Sequence, residues 1–222
     1  MKRILRILIP ALAMLLVAAS PAGADSWATG RWSNSPPDYG SYGVLNFSCL
    51  YSPNPTTNFA DDEMWQGTDS SGSGGYWVEQ GGSYGAPVGA SRYWFWADNT
   101  PSFGYQEHDS AAGSASLNTN YDVEFDYNGS NEWLVWHQGS ILGTSTSNPP
   151  NGNYLQAGGE HTDVANGRTV GSVSSLAWYD TSFSGHSGWT DTGYSNPTGQ
   201  TSGGSYSWNA NYTTVSWNSN NC

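Results

Sequence analysis

Residues 121–127 alternate strictly between aromatic or apolar side chains and carboxylates. Successive side chains of a β-strand point to opposite faces, so this pattern predicts a strand with one buried face and one acidic, solvated face. Asn128-Gly129 is a turn signal, and residues 132–138 return as a second strand, which gives the clearest hairpin in the chain. We expect the connection from Asn128 to Asn131 to be longer than a two-residue turn. The acidic face consists of Asp122, Glu124 and Asp126.

No segment has a sustained helical period, whereas short strand patterns recur between clusters of Gly, Asn, Pro and Ser. The 12 Trp and 14 Tyr argue against disorder, because disordered chains are poor in aromatic residues. The sequence therefore predicts an all-β fold, an antiparallel two-sheet β-sandwich of the jelly-roll, concanavalin-like type. Further strands are expected at residues 44–49, 64–67, 76–81, 93–97, 155–162, 170–179 and 212–216, and loops at 70–75, 144–152 and 195–204.

The N-terminus has the features of a secretory signal peptide. Three basic residues precede an apolar run at residues 7–19, and Ala22-Gly23-Ala24 is a small-residue cleavage site. The apolar run is too short to span a membrane comfortably. We therefore expect a signal peptide at residues 1–24, followed by a single β-sandwich domain at residues 25–222 that is secreted, extracellular, monomeric and without a membrane partner.

The charge of the chain beyond residue 24 excludes two classes of binding partner. Beyond residue 24 the chain has three arginines, no lysine and all 18 of its acidic residues. Such a surface repels nucleic acid and anionic membranes, which excludes both as expected partners.

Cys49 and Cys222 are the only two cysteines, and in an oxidising compartment we expect them to form a disulfide.

Two glutamates lie in short glycine-containing strand segments, Trp77-Val78-Glu79-Gln80-Gly81 and Gln156-Ala157-Gly158-Gly159-Glu160. Alternate residues of a strand share a face, so Trp77 lies on the face of Glu79, and Gln156 lies on the face of Glu160. The nearby glycines leave room for a substrate backbone to approach. Two such carboxyl groups can divide the work of catalysis, one ionised as a base and the other neutral as an acid.

The same segments resemble a known family. Trp77-Val78-Glu79-Gln80-Gly81, then Tyr84-Gly85 and Arg92-Tyr93-Trp94-Phe95-Trp96, is similar to the first catalytic strand region of the neprosin-type glutamic endopeptidases. Leu155-Gln156-Ala157-Gly158-Gly159-Glu160 is similar to the glutamine-x-glycine-glycine-glutamate strand of that family. The fungal eqolisins share the two-sheet sandwich and use a glutamine at the first position and a glutamate at the second.

This resemblance implies a glutamic-type endopeptidase that cleaves protein or peptide substrates at acidic pH without a cofactor. Glu79 and Glu160 would be the catalytic residues, one activating water and the other stabilising the oxyanion. Gln80 competes with Glu79 for the eqolisin glutamine position, but the spacing to the following glycine favours Glu79. The residues expected to contact substrate are Trp77, Gln156, Tyr93 and Gln80.

The main alternative is a carbohydrate-active or carbohydrate-binding sandwich, because exposed aromatic rings stack on sugars and jelly rolls with paired carboxylates are common among glycosidases. The polysaccharide-binding platform would consist of Trp77, Trp94, Trp96, Trp133 and Trp136. A non-catalytic secreted relative that keeps the sandwich is a third possibility.

No metal site is expected from the sequence. Glu107-His108-Asp109 places three potential ligands in a row, but adjacent side chains diverge, so a turn or strand end is the favoured interpretation. The acidic stripe in residues 122–126 runs along an extended strand rather than around a loop, unlike a calcium site. The remaining histidines are scattered in the sequence at His137, His161 and His186.

Overall fold

The computed structural model describes residues 26–68, 75–109, 113–150, 152–163, 165–179, 197–220 and 222. The signal peptide predicted at residues 1–24 lies outside these residues, as do most of the loop predicted at 70–75 and His186. The described chain folds into fourteen β-strands: β1 (Ser26–Asp38), β2 (Gly40–Tyr51), β3 (Phe59–Gly67), β4 (Trp77–Gly85), β5 (Gly89–Thr100), β6 (Gly104–Asp109), β7 (Asn120–Gly129), β8 (Glu132–His137), β9 (Ser140–Thr146), β10 (Gly152–His161), β11 (Arg168–Tyr179), β12 (Thr198–Ser202), β13 (Gly204–Trp208) and β14 (Val215–Ser219).

These strands form two seven-stranded sheets. The first sheet has the order β12-β1-β10-β3-β4-β5-β6, and the second has the order β13-β14-β11-β2-β7-β8-β9. Neighbouring strands pair antiparallel throughout both sheets. The predicted antiparallel two-sheet β-sandwich is therefore confirmed. Among the described residues, no helix has the length and apolar character needed to cross a membrane.

The core lies between the two sheets and is dominated by aromatic side chains. Trp32 and Trp94 of the first sheet and Phe47, Phe125 and Trp133 of the second are fully buried in one cluster. Aromatic side chains bury large apolar areas, so they supply much of the driving force in a domain with few leucines. The abundance of tryptophan in the sequence is thus explained largely by the core.

This packing contradicts the predicted sugar-binding platform. Trp94, Trp96 and Trp133 belong to the buried cluster between the sheets, and Trp96 is only 8% exposed. Trp136 alternates with core residues along β8 and therefore faces away from the first sheet. Of the five predicted platform residues, only Trp77 reaches the cavity described below.

The predicted hairpin is present as β7 and β8, with Val123 and Phe125 buried in the core. Its turn is shorter than expected. Ser130 and Asn131 both have positive φ, 54° and 60°, and directly connect Gly129 to Glu132. Positive φ at both central residues is typical of a two-residue hairpin turn whose twist matches that of the strands.

Other strand boundaries differ from the predictions in ways that matter for the site. The strand expected at residues 64–67 begins at Phe59. The loop expected at 195–204 contains β12 and the start of β13, and the strand expected at 212–216 begins at Val215. Glycine and serine occupy strand positions here, because cross-strand pairing outweighs their weak intrinsic preference.

Cys49 and Cys222 form the expected disulfide, with their Cα atoms 6.2 Å apart. Cys49 lies near the end of β2 in the second sheet, and 173 residues separate the two cysteines in the sequence. The bond therefore fastens the C-terminus to the sandwich and closes a loop that contains most of the domain.

Candidate active site

A cavity of about 440 Å³ lies on the face of the first sheet that points away from the second sheet. Five carboxyl groups line it: Asp61, Glu63, Glu79, Glu107 and Glu160. Five aromatic rings form much of the remaining wall: Phe59, Trp65, Trp77, Tyr93 and Tyr105. No lysine or arginine lines this cavity within the described part of the chain.

Strand parity brings these side chains to one face. Phe59, Asp61, Glu63 and Trp65 are alternate residues of β3, so their side chains point the same way, and the residues between them point toward the core. Antiparallel pairing then aligns the neighbouring strands with β3. Trp65 lies opposite Glu79 of β4 on one side and Gln156 of β10 on the other, and Asp61 lies opposite Glu160.

Glycines make room around the central carboxyl group. Glu63 lies opposite Gly81 on β4 and Gly158 on β10. A Cβ atom on Gly81 would lie 2.5 Å from the Cβ of Glu63 and would also collide with the carbonyl oxygen of Asp62. On Gly158 it would meet backbone and side-chain atoms of β1. Position 81 must therefore be glycine for Glu63 to keep its place, and position 158 must be glycine for β10 to pack closely beside β1.

Glu79 is held in a buried and acidic environment. Its side chain is 5% exposed, and its Oε2 accepts a hydrogen bond of 2.8 Å from the indole Nε1 of Trp77. Burial, followed by the charge of Glu160, raises the pKa of Glu79 to about 8, although the Trp77 hydrogen bond opposes this shift. Glu79 therefore retains its proton at neutral pH far more readily than an exposed glutamate.

The other carboxyl groups are shifted in the same direction. Burial raises the pKa of Glu160 to about 7. Burial also raises the pKa of Glu63 and of Asp61 well above their usual ranges, and the neighbouring carboxylates add to both shifts. Oxygens of Asp61, Glu63 and Glu160 lie within 4.8 Å of one another, close enough to hold one cation between them. The cavity can thus store protons or attract a positive charge.

Four of the six predicted site residues line this cavity, namely Glu79, Glu160, Trp77 and Tyr93. Gln156 is on the same face of the sheet, opposite Trp65.

Gln80 does not reach the cavity, and its predicted contact with substrate needs correction. The side chain is fully buried between the sheets, where its Nε2 donates to the backbone oxygens of Glu124 at 3.1 Å and Trp136 at 2.9 Å. The physical reason is strand parity, since neighbours of Glu79 along β4 must face the core. Gln80 is a structural tie between the sheets.

Sequence reasoning missed Asp61 and Glu63, because the predicted strand began at residue 64. The alternation of Phe59, Asp61, Glu63 and Trp65 was the available signal. It was obscured because β3 also carries polar side chains on its inner face, including Asp62, which accepts a hydrogen bond from Trp217 Nε1.

The remaining polar candidates have other partners. Glu107 lines the cavity, but the His108 ring stacks on Trp96 with centroids 3.9 Å apart. His161 is fully buried on the opposite face of β10 from Glu160, with its Nε2 2.8 Å from Ser219 Oγ. His137 packs on Trp94 with ring centroids 4.2 Å apart. None of these three histidines lines the cavity.

Comparison with known proteins identifies the fold. No protein-family model and no curated protein sequence matches this chain. Scytalido-glutamic peptidase, solved with a peptide-based transition-state analogue, aligns with a TM-score of 0.52 at 9% identity, covering 86% of this chain and 97% of the peptidase. SCP-B, a member of the Eqolisin family solved with the tripeptide Ala-Ile-His, aligns with a TM-score of 0.53 at 10% identity, covering 86% and 96%.

A Bacillus licheniformis β-glucanase aligns with a TM-score of 0.38 at 12% identity, covering 82% of this chain and 66% of the glucanase. The two peptidase alignments span almost the whole of their domains and show that this chain has the fold of the eqolisin peptidases. The resemblance to the neprosin-type enzymes rests on the sequence motifs.

Proposed function

We propose that this protein is a secreted glutamic-type endopeptidase, a hydrolase that uses Glu79 and Glu160 to activate water against a peptide bond. The observation that carries the proposal is that both glutamates, which come from separate motifs, line one buried cavity of an eqolisin-type sandwich. The negative charge of ionised Glu160 raises the pKa of Glu79, so the protonation state of one group depends on that of the other.

Within this proposal Glu160 is the general base and Glu79 is the general acid, because both burial and the charge of Glu160 favour the protonated form of Glu79. Trp77 donates a hydrogen bond to Oε2 of Glu79, and Trp65 is a second hydrogen-bond partner of this side chain. This division of labour follows from two carboxyl groups with unequal surroundings.

The reaction balances with these two groups alone. Glu160 takes a proton from water, the resulting oxygen attacks the peptide carbonyl carbon, and Glu79 donates its proton to the carbonyl oxygen. A tetrahedral diol forms. Glu160 then passes its proton to the amide nitrogen, the C–N bond breaks, and the diol hydroxyl returns a proton to Glu79 as the carboxylic acid product forms. Both residues finish in their starting states.

The raised pKa values change the pH at which we expect activity to be highest. A singly protonated pair is most populated between its two apparent pKa values, which belong to the pair rather than to either residue. With values of about 7 and 8, activity should peak near neutral pH rather than at the acidic pH implied by the family resemblance. Burial is the main cause of both high pKa values, and no described lysine or arginine lines the cavity to oppose it.

Carbohydrate binding remains the second candidate because of one observation, the five aromatic rings that surround the carboxyl groups of the cavity. Such rings stack on sugars, and paired carboxyl groups cleave glycosides. Only Trp77 among these rings belongs to the platform that the sequence suggested, and the other four are Phe59, Trp65, Tyr93 and Tyr105.

The deciding experiment assays the secreted protein on denatured casein and on a mixed-linkage β-glucan from acidic to alkaline pH. The variants are Glu79→Ala and Glu160→Ala, with Glu132→Ala on β8 as a matched control for loss of one carboxyl group. We expect proteolysis that both site variants abolish and the control retains. Proteolysis that survives both substitutions would overturn the assignment. Release of sugars without proteolysis would favour the glycosidase.

A further inference from the structure

We propose that Asp61, Glu63 and Glu160 form a subsite that binds a primary ammonium group of the substrate. This subsite extends the proposed function and rests on it, because it shares Glu160 with the catalytic pair and takes a peptide as the molecule that carries the ammonium group.

The spacing of the three carboxyl groups suits one ammonium nitrogen. One oxygen from each residue lies within 4.8 Å of the other two. An ammonium group has three N–H donors that diverge tetrahedrally, so three acceptors at about 2.8 Å from the nitrogen lie about 4.6 Å apart. Each of the three donors can therefore reach a different carboxyl group.

One oxygen of this subsite lacks a hydrogen bond. Oε2 of Glu63 is buried and has no hydrogen-bond partner among the described residues. Glu63 is 2% exposed, and its side chain belongs to the cavity wall. A buried acceptor without a donor is costly, and a donor from the substrate removes that cost.

The surroundings favour an organic cation over a metal ion. Phe59 precedes Asp61 on the same face of β3, and Tyr93 lies opposite Ser83, which itself lies opposite Asp61. Both rings line the cavity and can pack against the methylene groups beside an ammonium group, with a cation–π contribution. Calcium instead requires six to eight oxygen ligands, including carbonyls or water.

An ammonium group could belong to a lysine side chain or to the amino terminus of a peptide. Three small probes separate these sources: Nα-acetyl-lysine amide, Nε-acetyl-lysine amide and doubly acetylated lysine amide. Trp65 and Trp77 line the cavity, so quenching of tryptophan fluorescence reports binding. We expect at least one singly acetylated probe to bind about tenfold or more tightly than the doubly acetylated one, because charge-assisted hydrogen bonds are lost in the latter.

The variant Glu63→Gln removes one carboxylate and preserves its shape, and it should reduce this discrimination several-fold. Glu132→Gln should leave the discrimination unchanged. Equal binding of all three probes to the wild-type protein would overturn the subsite. Three results together would favour a metal site over the ammonium subsite: Ca²⁺ alone raises the melting temperature, Glu63→Gln removes that effect, and the three probes bind equally tightly.

Glu79→Ala separates this inference from the proposed function. Glu79 is outside the subsite, so this variant should retain the preference for an ammonium group even though proteolysis is lost. Proteolysis that depends on Glu79 and Glu160 but shows no preference for free amines would overturn only the subsite. An ammonium preference without any proteolysis would contradict only the proposed function.

Discussion

Trp77 donates its indole N–H to Glu79 Oε2 at 2.8 Å, from a position two residues earlier on the same strand. The hydrogen bond stabilises the ionised form of Glu79 and so limits the rise in pKa that burial causes. It also ties Oε2 of Glu79 to the Trp77 ring. Trp77 is thus a positioning residue for the proposed acid, and it also forms part of the aromatic wall.

Trp77→Phe should keep the ring and remove the donor. We expect the upper pKa of the pH–rate profile to rise and kcat to fall by about tenfold or more, because hydrogen bonds to charged groups contribute about 1.5–3 kcal/mol. KM should change much less than kcat. Trp136→Phe, on the outer face of the second sheet, is the control and should leave the profile unchanged. An unaltered profile for Trp77→Phe would remove the positioning role.

Buried Glu79 should make stability depend on pH. Its folded-state pKa of about 8 exceeds the ordinary value of 4.5, so the folded protein binds more protons between these pH values. The contribution of protonated Glu79 to the free energy of unfolding is complete below about pH 4.5 and is lost as the pH rises through about 8. When the pH rises from about 5 to about 8.5, the free energy of unfolding should therefore fall in both proteins. The fall should be smaller in Glu79→Gln than in the wild type, by about 1.4 kcal/mol or more. Urea unfolding at both pH values measures this difference, and parallel curves for the two proteins would contradict it.

Gly81→Ala should disrupt the site from the side of β4. The added Cβ would meet the side chain of Glu63 and the backbone of β3, so the two strands must separate or Glu63 must move. Such overpacking costs about 1–3 kcal/mol. We expect a lower free energy of unfolding together with a loss of activity greater than the loss of folded protein. Full activity in the folded fraction would mean that Glu63 does not need its present place.

Gln80→Leu tests whether Gln80 is a structural tie between the sheets and not a residue that contacts substrate. Two backbone oxygens would lose their donor in the core, which should destabilise the domain by about 2–4 kcal/mol. Activity per folded molecule should stay close to wild type, because Gln80 faces away from the cavity. A large fall in kcat at unchanged stability would instead return Gln80 to the site.

The disulfide should stabilise the domain by restricting the unfolded chain. Removal of both cysteines in Cys49→Ser/Cys222→Ser should lower the free energy of unfolding by about 4 kcal/mol, given the long loop that the bond closes. Each single substitution should cost about as much as the double one, since either breaks the bond. Additive costs in urea unfolding would show that the two residues act independently.

Local patterns in the sequence were sufficient for some elements and insufficient for others. The alternation at residues 121–127 predicted the β7–β8 hairpin, and the alternation along β4 predicted that Trp77 and Glu79 share a face, whereas the substrate contact predicted for Gln80 ignored that same alternation. The tight turn at Ser130 and Asn131 was missed because those residues are not the usual glycine pair. Asp61 and Glu63 were missed because β3 has polar residues on both faces, so its hydrophobic pattern is weak.

The sequence by itself determined the all-β class, the facing of side chains within each strand and the pairing of its two cysteines. These follow from the two-residue period of a strand and from counting. Only the tertiary structure decided which strands become neighbours, because register depends on packing across the whole sheet. That register brings Asp61 and Glu63 between Glu79 and Glu160, and it places two glutamates from separate motifs in the lining of one cavity.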